Sequence, residues 1–231
     1  MGVLISLEDH RRARETGRTA RVSARAEHHA GDLPATGDAP VSARERTRVE
    51  LFFDLGDPFS YLAAERVERS FEAVTWTPVT HVRRRRDVCA PGVRGDAETR
   101  AHALRMPLVW PERFPEPVTR AMRAASLAAE RGRGAAFALA AGRLAFCGGF
   151  DLDDPEILAE AAAAAGVGLE AVLEAAGDRA RDSAMAMTGR RLRAAGADRL
   201  PVLRVGTTLF CGEERIAEAA AAARFALSAG G

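Results

Sequence analysis

The sequence contains no lysine, so all 33 of its fully charged basic side chains are arginine. That excludes Schiff-base lysine chemistry and a phosphate loop of the Walker type. Cysteine is scarce: Cys89, Cys147 and Cys211 stand far apart and form no Cys-x-x-Cys. A disulfide-stapled scaffold and a dithiol redox centre are thereby excluded, and three reduced cysteines in a cytoplasmic protein are expected. The five histidines, at 10, 28, 29, 81 and 102, have no metal-ligand spacing, so no metal site is expected. Net charge is nearly absent: 33 basic residues against 32 acidic ones leave +1, which gives no general field for nucleic acid or an anionic membrane. No apolar run approaches the roughly 18 residues that would span a bilayer. The opening Met1-Gly2-Val3-Leu4-Ile5-Ser6 is too short for a signal peptide, and its match to a myristoylation pattern is read as coincidence.

What is present is an ordinary globular composition over 231 residues, 47% apolar and 28% charged, enough for one domain with an insertion. The arginine-only, alanine-rich usage is that of a GC-rich bacterial genome. Residues 1–46 are polar and poor in large apolar side chains. They read as a disordered tail with at most a short helix near residues 8–15.

From Arg48 the pattern changes. Residues 48–54 are strand-like, Asp57-Pro58 reads as a helix cap with proline in the first turn, and the helix runs to about Ser70. A second strand fits 73–79, giving a β-α-β unit. Residues 82–118, punctuated by Pro91, Pro107, Pro111, Pro115 and Pro117, read as loop. Helices are expected at about 118–131, 134–147, 154–166, 168–176 and 178–195. Strands at 200–205 and 207–210 and a helix from Glu213 to about Ser228 close the chain. The order β-α-β, helical block, β-β-α is an α/β class, a thioredoxin-like fold with a helical insertion. The boundaries expected are 47–80 and 198–231 for the thioredoxin-like domain and 81–197 for the insertion.

The run Phe53-Asp54-Leu55-Gly56-Asp57-Pro58-Phe59-Ser60-Tyr61-Leu62 resembles the opening of the DsbA-like thioredoxin superfamily. Its nearest branch looks like the 2-hydroxychromene-2-carboxylate isomerases and the kappa-class glutathione transferases. Arg105-Met106-Pro107-Leu108 with Phe114-Pro115, then Gly149-Phe150-Asp151-Leu152, and finally Leu200-Pro201 with Phe210-Cys211-Gly212-Glu213-Glu214-Arg215 follow the same family in register over about residues 48–228. The resemblance implies a glutathione cofactor, a small aromatic-derived enone acid as substrate, cis–trans isomerisation by transient thiol addition, and a homodimer. It also implies a cis bond before Pro201, so that Leu200 and Pro201 meet glutathione. Glu214, with Glu213 beside it, falls where the family holds the γ-glutamyl amine.

The chain departs from the family where a Ser or Cys meets the glutathione sulfur and stands instead as Asp57. Two like charges about 4 Å apart at an effective dielectric near 20 repel by roughly 4 kcal/mol. A helix start returns about 0.3–2 kcal/mol. Repulsion therefore wins unless Asp57 is protonated, turned away or paired with arginine. Asp57 is read either as a general acid–base group or as a cap. Ser60 either replaces the missing hydroxyl or is a small buried polar residue. Asp54 is matched in the family and reads as a strand end. Cys211 is either a reactive thiol or a buried strand-end cysteine. Arg83–Arg86 either binds an anion or is a solvated loop. Trp76, Trp110, Phe114 and Phe150 either line an aromatic pocket or pack the core. A non-catalytic thioredoxin-like binding module and a kappa-class-like transferase are the alternative functions.

Overall fold

The computed structural model describes residues 48–80, 82 and 92–228. The tail at 1–46, Cys89, Pro91 and the Arg83–Arg86 run lie outside the described residues.

Four strands form one sheet in the order β2-β1-β3-β4. Strand β1 (Val49–Phe53) is central and wholly buried, its one charged residue, Glu50, being held by Thr77 and Arg204. It pairs in parallel with β2 (Thr75–Pro78), with Leu51 opposite Trp76. It pairs antiparallel with β3 (Val202–Val205), with Phe52 opposite Val202, and β3 in turn pairs antiparallel with β4 (Thr208–Cys211). Between β1 and β2 runs α1 (Pro58–Ser70), capped by Asp57 with Pro58 in its first turn. The expected thioredoxin-like β-α-β … β-β-α order is therefore the one observed.

Residues expected as loop include a helix, α2 (Val93–Leu104). Its buried stripe is Val93, Ala97 and Ala101, spaced four apart but made of small side chains. It ends at Arg105 in the left-handed region (φ 54), where a glycine would have marked the stop. The remaining helices fall close to expectation: α3 (Thr119–Glu130), α4 (Gly134–Phe146), α5 (Pro155–Ala165), α6 (Leu169–Gly177) and α7 (Ala180–Ala194). Helix α5 has the expected Asp154-Pro155 start and Gly166 stop. A 3-10 turn at Glu213–Arg215 leads into α8 (Ile216–Ser228).

Side chains alternate across the sheet. Val49, Leu51 and Phe53 join Leu203, Val205 and Trp76 in a core shared with α1, α8 and helices α3 to α6, so the thioredoxin-like layer and the helical block are packed as one. The opposite face carries Phe52 and Val202 under Leu192 of α7. Helix α7 crosses so close to the segment that follows β2 that a Cβ on Gly189 would lie 1.8 Å from the Thr80 carbonyl oxygen. Arg123 of α3, 8% exposed, grips Asp182 with two bonds of 2.7 and 2.6 Å and donates to the Ala176 carbonyl, tying α3, α6 and α7 together. Helix α3 has no capping side chain of its own. Asp153, remote in sequence, accepts the N–H groups of Arg120 and Ala121 at 2.9 and 3.0 Å. Burial pushes the Asp153 carboxyl up, with those two donors acting against it.

Candidate functional site

The site is built at the turn that carries β1 into α1. The turn closes through the Asp57 N–H on the Asp54 carbonyl at 3.1 Å. Asp57 stands in extended backbone (φ −97, ψ 117), the geometry of a helix N-cap. Its Oδ2 accepts both the Ser60 N–H and the Ser60 hydroxyl, each at 2.8 Å. The same hydroxyl oxygen accepts the Asp54 N–H at 3.3 Å. Asp57 is 5% exposed and Ser60 4%. The expectation that these two residues share the helix start is met in space. The carboxylate is turned onto the helix terminus, where exposed N–H groups and the helix dipole favour an anion.

Asp54 occupies the end of β1. Its Oδ1 accepts the Gly56 N–H at 2.8 Å. Burial pushes its carboxyl up to about 6, with the Gly56 N–H pulling the other way. Asp54 borders a small cavity of ≈ 240 Å³ that also touches Ser60, Tyr61 and Trp76. Beside it, Leu55 donates its N–H to the Met122 sulfur at 3.2 Å, fastening the turn to α3.

The Leu200–Pro201 bond is cis, as the resemblance implies, and so is Phe114–Pro115. Because Phe52 faces Val202, the register sets Pro201 beside Phe53 and hence next to the start of the turn. Leu200 and Pro201 are both buried, and the Pro201 carbonyl accepts the Gly212 N–H at 2.8 Å.

Across from Leu55 and Gly56 lies an open cleft of ≈ 370 Å³, walled by Phe114, Phe146 and Phe150 of the helical block. Arg113 stands at its edge, paired with Glu116 and Asp151 at 2.6 and 3.0 Å. Of the four aromatic residues singled out in the sequence, Phe114 and Phe150 line this cleft. Trp110 packs at a tilt on Phe114 with ring centres 4.6 Å apart, and Trp76 is buried against Phe53 in the core.

The strand-turn-helix, the cis-proline and the helical block all lie within the span that the family comparison matches. A model of the DSBA-like thioredoxin domain fits residues 48–223. This chain belongs to that family. Among solved structures, the domain is similar to a 2-hydroxychromene-2-carboxylate isomerase, with a TM-score of 0.63 and 17% identity over 78% of this chain and 97% of that one. It is also similar to a probable DsbA oxidoreductase from Streptomyces coelicolor, with a TM-score of 0.59 and 20% identity over 78% of this chain and 90% of that one. At these identities the likeness speaks to the fold. No curated protein matches the sequence.

In this DSBA-like domain the two acidic residues after β4 are engaged separately. Glu213 is 1% exposed and binds Arg66 of α1 at 2.6 Å and Arg100 of α2 through its other oxygen. It clamps α1, α2 and the 3-10 turn together. Glu214 meets Arg199 at 2.6 Å on the surface. Both carboxylates are thus held by arginines of the chain itself. Cys211 is half-buried beside Val202, and burial pushes its thiol up, away from the thiolate form.

Sequence reading passed over Tyr61. Its ring stacks on Phe146 with centres 5.4 Å apart, and its hydroxyl donates to the Pro107 carbonyl at 2.8 Å and touches the Cys147 sulfur at 3.1 Å. With its single proton on Pro107, the Tyr61 oxygen accepts from the Cys147 thiol. Burial, then Cys147, push the Tyr61 hydroxyl above its ordinary range. Sequence carried no sign of this contact, since the partners are 46 and 86 residues away. Among the described residues no group of His, Cys, Asp and Glu could hold a metal ion, and no helix is long and apolar enough to cross a membrane.

Proposed function

We propose that this domain binds a small aromatic-derived acid and isomerises it with the help of a thiol such as glutathione, in the manner named for its isomerase relative. The observation that carries the reading is the cleft between Leu55–Gly56 and the rings of Phe114, Phe146 and Phe150, with Arg113 at its edge. Aromatic walls favour a planar apolar body; Arg113 is already paired with Glu116 and Asp151, so a ligand carboxylate bound there displaces one of them. The sequence Asp57-Pro58-Phe59-Ser60 places no thiol at the helix start, so dithiol–disulfide exchange is not supported. Asp57 fills the position at which a glutathione thiolate would gain from the helix N-terminus, so the co-reacting thiol is held beside the turn and not on it.

Glutathione binding by calorimetry on the wild type and on Asp57→Ser, from pH 5 to 8, tests this together with turnover of 2-hydroxychromene-2-carboxylate. Binding at millimolar levels or tighter with isomer formation by the wild type supports it. Binding by Asp57→Ser alone would mean that Asp57 has closed an inherited thiol site. Conjugate formation in place of isomer would make the domain a transferase. No binding to either form would leave a non-catalytic binding module.

A further inference from the structure

We propose that Glu116 is an internal stand-in for a ligand carboxylate in the aromatic cleft: a ligand acid binds by displacing it from Arg113, while Asp151 stays on the guanidinium as its positioning residue. The inference rests on the aromatic-acid reading above.

The first ground is a count of charge. Among the described residues, the charged side chains that line the cleft are Arg113, Glu116 and Asp151. One cation stands against two carboxylates, and both carboxylates are bonded to it. An incoming acid therefore finds no unpaired positive charge there and must exchange with one of the two.

The two carboxylates are held differently, and that decides which one leaves. Asp151 gives Oδ2 to Arg113 Nη1 at 3.0 Å, and its Oδ1 accepts the Asp153 N–H, also at 3.0 Å. Its loop is tied down in turn, because Asp153 caps α3 through the N–H groups of Arg120 and Ala121. Moving the Asp151 carboxylate would cost a second hydrogen bond in a fixed loop. Glu116 has no second hold. Its Oε2 takes both the Nε and the Nη2 donors of Arg113, at 3.2 and 2.6 Å, and its Oε1 has no hydrogen-bond partner among the described residues. The backbone turn beneath it, Glu116 N–H on the Arg113 carbonyl at 2.7 Å, does not need the side chain. The Glu116 side chain is 54% exposed against 30% for Asp151, so water receives it as it turns away. An ion pair this exposed is weakly held.

The vacated position suits a carboxylate better than it suits Glu116. The Nε and Nη2 donors form one edge of the guanidinium, a fork that fits a carboxylate with one oxygen on each donor. Glu116 puts both donors on a single oxygen. A ligand carboxylate can use both of its own. Its planar body then lies against Phe114, which follows Arg113 in the chain, and against Phe146 and Phe150. Glu116 brings no such body. Asp151, on the Nη1 side, keeps the guanidinium from rotating and leaves the fork to the ligand. The arrangement also sets selectivity, because an uncharged aromatic ligand gains nothing from displacing Glu116.

The probes are cinnamate, an α,β-unsaturated aromatic acid, and its uncharged amide, cinnamamide. Binding is read by calorimetry on the full chain at neutral pH. Glu116→Gln should bind cinnamate about 3-fold or more tighter than the wild type, since glutamine competes for Arg113 without charge. Arg113→Gln should bind it about 10-fold or more weaker. Cinnamamide should bind all three proteins within about 2-fold of one another. Glu116→Gln should also lower the KM for 2-hydroxychromene-2-carboxylate in turnover with glutathione. Cinnamate affinity that is equal or weaker in Glu116→Gln, or unchanged in Arg113→Gln, overturns the proposal. So does cinnamamide affinity that moves in step with cinnamate, or cinnamate binding to neither wild type nor Glu116→Gln. A wild type that shows the expected binding pattern without turning over 2-hydroxychromene-2-carboxylate overturns the isomerase reading and supports the carboxylate exchange.

Discussion

Ser60 holds the Asp57 carboxylate twice, through its backbone N–H and its hydroxyl, each at 2.8 Å. In a fold whose helix start here favours an external anion, this chain supplies the anion itself. The consequence is local stability at the start of α1.

Asp57→Ala should destabilise the domain by about 1–2 kcal/mol, since it removes an N-cap whose acceptor serves two donors. Asp57→Ser should retain more than half of that stability. Urea denaturation of the three proteins reads the differences, and equal midpoints for wild type and Asp57→Ala would show that the cap contributes nothing to folding.

Asp54→Asn should stabilise the protein by roughly 2 kcal/mol at pH 8. The folded-state carboxyl lies near 6 against an ordinary value of 3.8, so the folded form favours the proton, and the stability tied to it is present below about 4 and lost as pH rises through 6. Asparagine keeps the acceptor for Gly56 and stays neutral. The two proteins should therefore converge below about pH 4, which thermal melts across pH 3.5–8 will show.

Asp182→Ala leaves the Arg123 guanidinium buried with one carbonyl partner and should cost about 2–3 kcal/mol at pH 7. Arg123 beside it holds the Asp182 carboxyl below its ordinary value. Its contribution is therefore present above about 4 and fades as pH falls, so the gap between the proteins should narrow below that pH. A gap constant from pH 3 to 7 would contradict the ion pair.

Gly189→Ala should cost about 3 kcal/mol or more, because the added methyl meets a backbone oxygen 1.8 Å away and no rotamer change relieves it. Chemical denaturation measures the loss. A change under about 0.5 kcal/mol would mean that α7 lifts freely off the segment that follows β2.

Phe150→Ala should weaken binding of 2-hydroxychromene-2-carboxylate about 10-fold, equal to about 1.4 kcal/mol, by removing one aromatic wall of the cleft. Phe150 is 48% exposed, so the melting temperature should scarcely move. Unchanged affinity would place the ligand elsewhere.

The sequence by itself determined the layered plan. The buried run Val49–Phe53, the Asp57-Pro58 and Asp154-Pro155 helix starts and the Gly166 stop are local signals, because caps, prolines and residue periodicity act within one turn of the chain. The family motif also pointed to Pro201, which the fold sets beside the end of β1. Only the tertiary structure decided the rest. Helix α2 escaped notice because its stripe is mostly alanine and its stop is Arg105. Glu213 drew two arginines from helices 147 and 113 residues away, and Asp153 came to cap a helix it does not precede. Asp54 read as a strand end, and only the packing of Tyr61 and Trp76 around it makes it the border of a small cavity. Such partners are chosen by packing, which brings side chains together across any sequence distance and sets the burial that decides whether a carboxyl keeps its proton.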